Sequence, residues 1–272
     1  MAASPTSPAT VRDGEPVDHL RVDRVERRFG DRVALSNVNL SFQPGEVAVI
    51  IGGSGAGKTT LLKILIGLDR PTSGSVILDG VDIAKLSERE LNRVRQKLGM
   101  VFQYSALLDS MNVLENVAFP LREHTKLKDK EIRAKVADKL QALGLPGVEQ
   151  RFPSELSGGM RKRVALARAL MLEPRVILYD EPTSGLDPIT SRLVDEMILQ
   201  ARDKFGVTSV VISHDMTSAL HIADKVHLLA GGSIVTSGTP AEIAHSDHEL
   251  VRKFIESSGI ATDRLLSARE KH

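Results

Sequence analysis

The spacing of apolar positions near the start of the chain predicts β-strands of two kinds. Every second position is apolar in two early segments, at Leu20 and Val22 and then at Val38, Leu40 and Phe42. This period of two is typical of strands with one face in a core and one face in solvent, as in antiparallel sheets. Residues 46–51 read Glu-Val-Ala-Val-Ile-Ile, a continuous β-branched run that indicates a strand covered on both faces in a parallel sheet.

A long helical stretch separates this first part of the chain from a second group of strands. A glycine-rich turn precedes a predicted helix at residues 59–68, a short strand at 75–78 and a turn at Asp79-Gly80. Residues 86–172 are predicted to be mostly helical, and apolar positions with helical spacing form one face there, at Ile132, Val136, Leu140 and Leu143.

Strand patterns return after this stretch, at residues 176–179, 209–213 and 226–230. Gly231-Gly232 then predicts a tight hairpin to a strand at 233–236. The order of these elements predicts a strand-helix core interrupted by a helical insert. Further on, Leu250, Val251, Phe254 and Ile255 would share one face of a short helix, which we expect to pack on its own domain.

The composition excludes several classes of function. The 272 residues carry 36 Lys and Arg against 35 Asp and Glu, so a general nucleic-acid binder, which needs a basic excess, is disfavoured. There is no cysteine, and the eight histidines form no metal-ligand motif. No apolar run approaches the length that spans a bilayer, and residues 1–18 are predicted to be a disordered tail without signal-peptide features. We therefore expect a cytoplasmic protein that docks, at most, on a membrane surface.

A phosphate-binding loop lies between the predicted buried strand and the helix that follows it. The stretch Gly52-Gly-Ser-Gly-Ala-Gly-Lys58-Thr59 fits the pattern GxxxxGK[ST]. Glycines allow the backbone to wrap around phosphates so that its N–H groups point inward, and the helix N-terminus adds positive potential. Lys58 supplies a cation for the β- and γ-phosphates, and Thr59 supplies a hydroxyl for Mg²⁺. The sequence therefore predicts a site for ATP and Mg²⁺.

Two acidic residues end a later apolar strand and are suited to hydrolysis. Asp180 and Glu181 follow Val176-Ile-Leu-Tyr, and ligands of open parallel sheets bind at the carboxyl ends of the strands. Asp180 is placed to hold the Mg²⁺ shell, and Glu181 to polarise the attacking water as general base.

These motifs together resemble the ABC ATPase family over about residues 20–238. The decisive element is Leu156-Ser157-Gly158-Gly159, which is similar to the signature motif of that family and precedes Asp180 at the family's usual distance. In the family, this motif contacts the nucleotide of the opposite subunit. The resemblance therefore implies that the chain needs a second copy of itself to complete either site.

The other positions of the family pattern are also filled. The resemblance implies that Phe29 stacks on adenine, that Gln103 contacts Mg²⁺ and the attacking water, that Asp187 lies in the loop crossing the dimer interface, and that His214 contacts the γ-phosphate. It implies a catalytic set of Glu181, His214 and Gln103, with Thr59 and Gln103 at the metal. The nucleotide contacts would come from Phe29, Gly52, Gly53, Ser54, Gly55, Ala56, Gly57, Lys58, Thr59, Thr60, Asp180, Ser157, Gly158, Gly159 and Asp187.

One departure from the common signature narrows the resemblance to a branch. Met160 stands where the common form has Gln, and Leu-Ser-Gly-Gly-Met resembles the ATPases of Mla-type phospholipid transporters, which work with Mce-domain proteins. Residues 111–125, 153–160 and 186–190 resemble the same branch. This implies integral-membrane permease subunits and an Mce-domain protein as partners, a position on the cytoplasmic face of the inner membrane, and a docking groove lined by part of residues 104–113.

The predicted fold is α/β, with a P-loop NTPase (RecA-like) core, an N-terminal antiparallel β-subdomain and an inserted ABC α-helical subdomain. The predicted boundaries are a tail at 1–18, an ATPase domain at 19–238 with the helical subdomain at about 86–172, and a helical extension at 239–272. Two alternatives remain open at this point. The transporter could move a polar solute such as an amino acid, or the chain could be an ABC protein of DNA repair or translation. A single cassette without cysteine or sustained heptads disfavours the second alternative.

Overall fold

A computed structural model describes residues 18–258 of the chain. Nearly all of the predicted N-terminal tail, and residues 259–272 of the predicted C-terminal extension, lie outside this range. The strands in chain order are β1 Leu20–Phe29, β2 Arg32–Phe42, β3 Val47–Ile51, β4 Ser73–Leu78, β5 Val81–Asp82, β6 Leu98–Val101, β7 Val176–Asp180, β8 Thr208–Ser213, β9 Lys225–Ala230 and β10 Ser233–Gly238. The α-helices are α1 Lys58–Leu65, α2 Glu88–Arg95, α3 Val113–His124, α4 Asp129–Ala142, α5 Gly158–Ala169, α6 Pro188–Phe205, α7 Met216–Ile222, α8 Pro240–Ala244 and α9 Glu249–Ser258.

The N-terminal strands form an antiparallel sheet, as the period-two pattern predicts. Its order is β2-β1-β4-β5. Leu20 pairs with Phe42 and Val22 pairs with Leu40 across β1 and β2, and all four side chains are buried. They belong to a core that also contains α1 and one face of the larger sheet. Burial of alternate positions on one face therefore fixes the register of this pair.

The larger sheet has the order β10-β9-β3-β8-β7-β6. All of its pairs are parallel except the β9–β10 hairpin. All five residues of β3 are buried, because this strand is covered on both faces. The carboxyl ends of β3, β7 and β8 lie side by side in the parallel sheet, so the loops that follow these strands meet at one edge.

The structure places a strand inside the stretch predicted to be mostly helical. Residues 98–101 form β6, which pairs with β7 at the edge of the parallel sheet. A Cβ added to Gly99 would lie 3.0 Å from the carbonyl oxygen of Ala169, so glycine allows the end of α5 to approach the strand closely. A four-residue apolar run has too few positions for its periodicity to separate strand from helix.

The first helix also ends earlier than predicted. α1 begins at Lys58 and ends at Leu65, three residues before the predicted end at residue 68. Gly67 follows with φ of 69° and lies against Leu91, where an added Cβ would be 2.8 Å from Cδ1. A glycine in the left-handed region just past a helix is a common way to end it.

Helices α3, α4 and α5 pack together beyond the edge of the parallel sheet. Ile132, Val136 and Leu140 are buried against this group, as their spacing predicts. Asn112 caps α3 through a hydrogen bond from the backbone N–H of Glu115, at 2.9 Å. Asn116 is fully buried, and its amide is bonded to backbone groups of residues 108, 111 and 112. These bonds hold the segment that enters α3.

The last described helix packs on its own chain. Val251 is fully buried, and Phe254 and Ile255 contact the core that contains the helices α3–α5. Leu250 is partly exposed, so it lies at the margin of the predicted apolar face. Within residues 18–258, no helix is both long enough and apolar enough to cross a bilayer.

Candidate nucleotide-binding and catalytic site

The glycine-rich loop between β3 and α1 has a conformation that only glycine adopts without strain. Gly55 has φ of 76° and Gly57 has φ of 108°, both in the left-handed region. A Cβ added to Gly57 would lie 2.8 Å from the carbonyl oxygen of Ala34. Glycine is therefore required at position 57 both by the backbone angle and by the neighbouring strand β2.

Lys58 begins α1 and its ammonium group lies across the loop. Its Nζ donates hydrogen bonds to the carbonyl oxygens of Gly52 at 2.7 Å and Gly53 at 3.2 Å, and lies 3.5 Å from Oε1 of Glu181. A cavity of about 420 Å³ opens here, lined by residues 53–60, by Asp180 and Glu181, and by residues 32–34 of β2. The cavity thus combines a cation, loop N–H groups and a helix N-terminus, which together suit a polyphosphate.

Glu181 is held in an uncommon backbone conformation at the end of β7. Its φ is 46°, and its backbone N–H donates to the carbonyl of Ile212 at 2.8 Å. The side-chain Oε2 lies 2.6 Å from Nδ1 of His214 and accepts a hydrogen bond from the backbone N–H of His214 at 3.2 Å. The two residues therefore form a pair that joins the ends of β7 and β8, with Glu181 mostly buried and His214 exposed.

The residues around Asp180 fit a magnesium ion that also binds phosphate. Burial and the adjacent Glu181 carboxylate raise the pKa of Asp180, while Lys58 lowers it. A carboxylate, the Thr59 hydroxyl and phosphate oxygens are the hard oxygen ligands that Mg²⁺ prefers. In the part of the chain that the structure describes, no cluster of three acidic or histidine side chains could hold a metal alone. This donor set suits an ion that arrives with a nucleotide.

Gln103 lies in a second cavity beside the first. This cavity, of about 930 Å³, is lined by the loop residues Gly53, Ser54 and Lys58, by Gln103, Glu181 and His214, and by residues 183–186, 215–217 and α9. The amide Nε2 of Gln103 donates to Oγ of Ser184 at 3.0 Å. The structure therefore brings together the P-loop, Asp180, Glu181, His214 and Gln103 at one edge of the parallel sheet.

Two cations of α5 hold the backbone of the loop that carries Gln103. Nζ of Lys162, a buried residue, donates to the carbonyl oxygen of Gln103. The guanidinium of Arg168 donates to the carbonyls of Ser105 at 3.0 Å and Ala106 at 2.7 Å. Ser105 and Ala106 have positive φ angles of 64° and 45°, so these bonds stabilise a strained turn. Burial lowers the pKa of both cations.

The signature residues lie away from this edge within one chain. Ser157 caps α5, accepting a hydrogen bond from the backbone N–H of Met160 at 3.3 Å. A Cβ added to Gly158 or Gly159 would meet nothing within 4 Å, so the helix start faces open space. None of the three is among the described residues that line either cavity. Within the described residues, the start of α5 therefore takes no part in the site that its own chain forms.

Asp187 and Phe29 also lie outside the two cavities. Asp187 caps α6 by accepting hydrogen bonds from the backbone N–H groups of Ile189 and Thr190, both at 3.0 Å. The hydroxyl of Thr190, followed by these N–H groups, lowers the pKa of Asp187. Phe29 is 49% exposed, and the guanidinium of Arg27 lies 4.3 Å from the centre of its ring. The structure leaves its ring accessible, while residues 32–34 line the P-loop cavity.

Several residues of this site could not be found from the sequence pattern. Lys162 and Arg168 look like ordinary charged positions of an amphipathic helix, and only the packing of α5 on the Gln103 loop reveals their contacts. Ser184 is the partner of Gln103, although the two are far apart in the sequence. Its position beside Asp187 was the only signal that could have suggested it.

Comparison of the sequence with known families and proteins gives consistent matches. The family described as ABC transporter matches residues 35–184. An intermembrane phospholipid transport system ATP-binding protein, MlaF of Haemophilus influenzae, is 43% identical over 242 residues, covering 88% of this chain and 92% of that protein. A probable ribonucleotide transport ATP-binding protein, mkl of Mycobacterium leprae, is 43% identical over 241 residues, covering 89% and 70% respectively.

Solved structures of similar fold include ATP-binding cassettes. A dimeric cassette in a post-hydrolysis state bound to ADP and Pi superposes with a TM-score of 0.72 at 33% identity, covering 81% of this chain and 98% of that one. The protein cbiO1 from Clostridium perfringens, part of the ABC transporter complex cbiONQ, gives a TM-score of 0.78 at 30% identity, covering 88% of this chain and 95% of that one. The predicted P-loop NTPase fold with its antiparallel subdomain is therefore confirmed.

The contact between α5 and the Gln103 loop can be tested without any assay of activity. Lys162→Met keeps the length of the side chain but removes its donors, so the loop should open more often. We expect backbone amides of residues 102–106 to exchange with solvent about tenfold faster, as measured by hydrogen–deuterium exchange of the full chain. Lys130→Met, at an exposed lysine of α4, is the matched control and should leave these amides unchanged. Equal exchange in both variants would contradict the contact.

Proposed function

The chain belongs to the ABC transporter family as an ATP-binding and ATP-hydrolysing subunit, and we propose that it energises a membrane transporter of phospholipids. The main support for the ATPase function is that Lys58, Glu181 and His214 lie in contact at the edge of the P-loop cavity. The similarity to a phospholipid transport ATPase over 92% of its length supports the lipid part.

We assign nucleotide binding to the loop and its neighbours. The N–H groups of residues 53–60 and the ammonium of Lys58 would hold the phosphates, and Phe29 offers an exposed ring to the base. Thr59 and Asp180 would hold Mg²⁺, with Gln103 as a further ligand from the adjoining cavity. Bound there, the ion would neutralise negative charge that builds up on the phosphates during hydrolysis.

Glu181 is the group best placed to accept a proton from the attacking water. It is a carboxylate at the mouth of the P-loop cavity, and it is fixed by His214 on one oxygen and faced by Lys58 on the other. A general base must be held in the right orientation toward the water, and these two contacts restrict the Glu181 side chain. We assign His214 to the γ-phosphate, because its ring is exposed, contacts Glu181 and lines the same cavity as Lys58.

A second copy of the chain would complete each site. Ser157, Gly158 and Gly159 present a helix start to open space, and a dimeric cassette is among the structures that this fold resembles. In a symmetric dimer, Ser157 of one copy would meet the phosphates held by Lys58 of the other. Asp187, which directly follows the cavity-lining residues 183–186, would lie in the contact between copies. Tighter binding of ATP to the closed dimer would then supply the work of transport.

The membrane partner would dock beside the loop that carries Gln103. Tyr104 is 85% exposed, and Phe102 and Leu108 are also exposed apolar residues of this segment. Because Lys162 and Arg168 connect the segment to the signature helix α5, force applied there would reach the ATP site. We propose permease subunits and an Mce-domain protein as partners, which would place the chain on the cytoplasmic face of the inner membrane.

A second candidate substrate class is a polar solute. The similarity to a probable ribonucleotide transport protein has the same identity, 43%, as the similarity to the phospholipid protein. That match covers a smaller share of the relative, and Leu-Ser-Gly-Gly-Met160 resembles the phospholipid branch, so the lipid assignment is favoured.

Replacing the proposed base should separate binding from hydrolysis. Glu181→Gln keeps the shape of the side chain and its contact with His214 but cannot accept the proton. We expect ATP turnover to fall by roughly 10² to 10⁴ while ATP affinity stays within a few-fold, measured by phosphate release and by equilibrium binding. Unchanged turnover would contradict the assignment of Glu181 as the general base.

A mixture of two inactive variants tests the shared site. Lys58→Ala removes the phosphate cation of one site, and Ser157→Phe blocks the exposed signature helix. A mixed dimer has one site with both residues intact if the site is shared between copies. Mixing equal amounts should then restore roughly a quarter of wild-type turnover, whereas a site formed within one chain gives no restoration. Each variant alone is the control.

The lipid assignment is tested by recovery of partners from native membranes. Tagged Glu181→Gln protein should trap the ATP-bound complex, and we expect its permease and an Mce-domain protein to be recovered with it. Recovery of a solute-binding protein with a polar-substrate permease would agree with the ATPase function but would contradict the lipid assignment. Adding Tyr104→Glu should reduce recovery by about tenfold because it places a charge in the docking surface. Leu68→Glu, at another exposed apolar residue, is the matched control.

A further inference from the structure

Three polar side chains, two of them buried, contact one another behind the sheet edge that carries Glu181 and His214. Asp195 of α6 is 4% exposed, and its Oδ2 lies 3.0 Å from Oγ of Ser218 in α7. The same hydroxyl lies 3.1 Å from Oδ2 of Asp215. Within the described residues, Oδ1 of Asp195 has no hydrogen-bond partner. One hydroxyl thus stands between two carboxyl groups, one of which is buried.

These three side chains have enough hydrogen-bond donors for their contacts only if one of the two carboxyl groups is protonated. Ser218 has a single hydroxyl hydrogen, so it can donate to only one of the two oxygens that face it. A second carboxylate would then face the hydroxyl's lone pairs inside the protein, which is costly. With a proton on Asp195, each of the two contacts has a donor: Asp195 donates to Ser218, and Ser218 donates to Asp215.

The rest of the surroundings show which group is neutral. Oδ1 of Asp215 accepts hydrogen bonds from the backbone N–H groups of Thr217 at 2.9 Å and Ser218 at 3.2 Å, and these favour its ionised form. Burial raises the pKa of Asp195 to about 7, and Asp215 and Glu196 also raise it. The hydroxyl of Ser218 and the guanidinium of Arg192 lower it. α7 also carries His221, a further titratable group of the element packed on α6.

Asp215 connects the other two side chains of this group to the residues at the nucleotide site. It follows His214 directly, and its backbone N–H donates to Oγ of Ser213 at 2.9 Å. Its Oδ2 also lies 3.4 Å from Oγ1 of Thr183, in the loop that begins at Glu181. The position of Asp215 therefore affects both loops that carry the Glu181–His214 pair.

We propose that Asp195, in its neutral form, is a positioning residue for ATP hydrolysis. Through Ser218 it holds the ionised Asp215, and thereby the turn that places His214 against Glu181. The role rests on the proposed ATPase function and adds to it a residue that touches neither nucleotide nor water. Ionisation of Asp195 sets two carboxylates against one hydroxyl and loosens this turn.

The direction of the pH effect follows from where the protons are bound. Asp195 has an ordinary pKa of 3.8 and a pKa of about 7 in the folded chain. Between these values the folded protein keeps a proton that the unfolded protein loses, so this group reduces stability as pH rises through that window. Above about pH 7 the reduction is complete, and Asp195→Asn removes it.

Two substitutions of similar size distinguish a hydrogen-bonding role of neutral Asp195 from a role in packing alone. Asp195→Asn is a permanent neutral donor, and Asp195→Leu has no donor. We expect the Leu variant to lose about tenfold in kcat at pH 7 with KM for ATP within twofold, because the nucleotide contacts are untouched. The Asn variant should match the wild type at pH 6. At pH 8.5 it should exceed the wild-type kcat by about fivefold, since the wild type has ionised.

Thermal unfolding of the full chain gives a readout that does not depend on hydrolysis. Asp195→Asn should raise Tm by about 5 °C at pH 8.5 and by much less at pH 4.5. Identical kcat profiles for the wild type and the Asn variant, or an Asn variant as slow as the Leu variant, would overturn the role of Asp195. Absence of hydrolysis by the wild type would instead contradict the proposed function, and the Tm comparison would still report which form of Asp195 is buried.

Discussion

The whole site depends on the close approach of three backbone segments around the P-loop. A Cβ added to Gly52 would lie 2.5 Å from the carbonyl oxygen of Leu229, and one added to Gly57 or Gly232 would lie 2.8 Å from that of Ala34. No side chain fits at these distances, so only glycine allows the loop to touch both β2 and the β9–β10 hairpin. The antiparallel and parallel sheets meet there, and the backbone of the glycine-rich loop is enclosed between them.

From this contact the charged groups take their positions. Lys58 follows Gly57 at the first turn of α1, and the parallel alignment of β3, β7 and β8 brings Glu181 and His214 to the same edge. The helices add a second layer of support. Lys162 of α5 holds the backbone of the Gln103 loop, while Asp195 of α6 faces the turn after His214 through Ser218. Movement of either helix would therefore change the geometry of the candidate site.

Most elements follow from local patterns, and the failures have a common reason. The buried run of β3 and the apolar strand before Asp180 are long enough for their pattern to be unambiguous, so the residue pattern alone places the P-loop and Glu181 at the ends of strands. Strand β6 is only four residues long, and pairing with β7 alone makes it a strand. The end of α1 is likewise set by the approach of Leu91 to Gly67 and not by the helix's own residues.

The residue pattern predicts the chemistry of the site: a P-loop, a strand ending in two carboxylates, and a signature motif in the order that the ABC family shares. It could do so because each motif is a short stretch whose function depends on backbone angles and on neighbouring residue types. Contacts between groups that are far apart in the sequence become visible only when the elements are packed together. The contacts from Lys162 to Gln103, from Ser184 to Gln103 and from Asp195 to Ser218 join residues on different elements. A buried cation and a buried acid look like surface charges until packing removes the water around them.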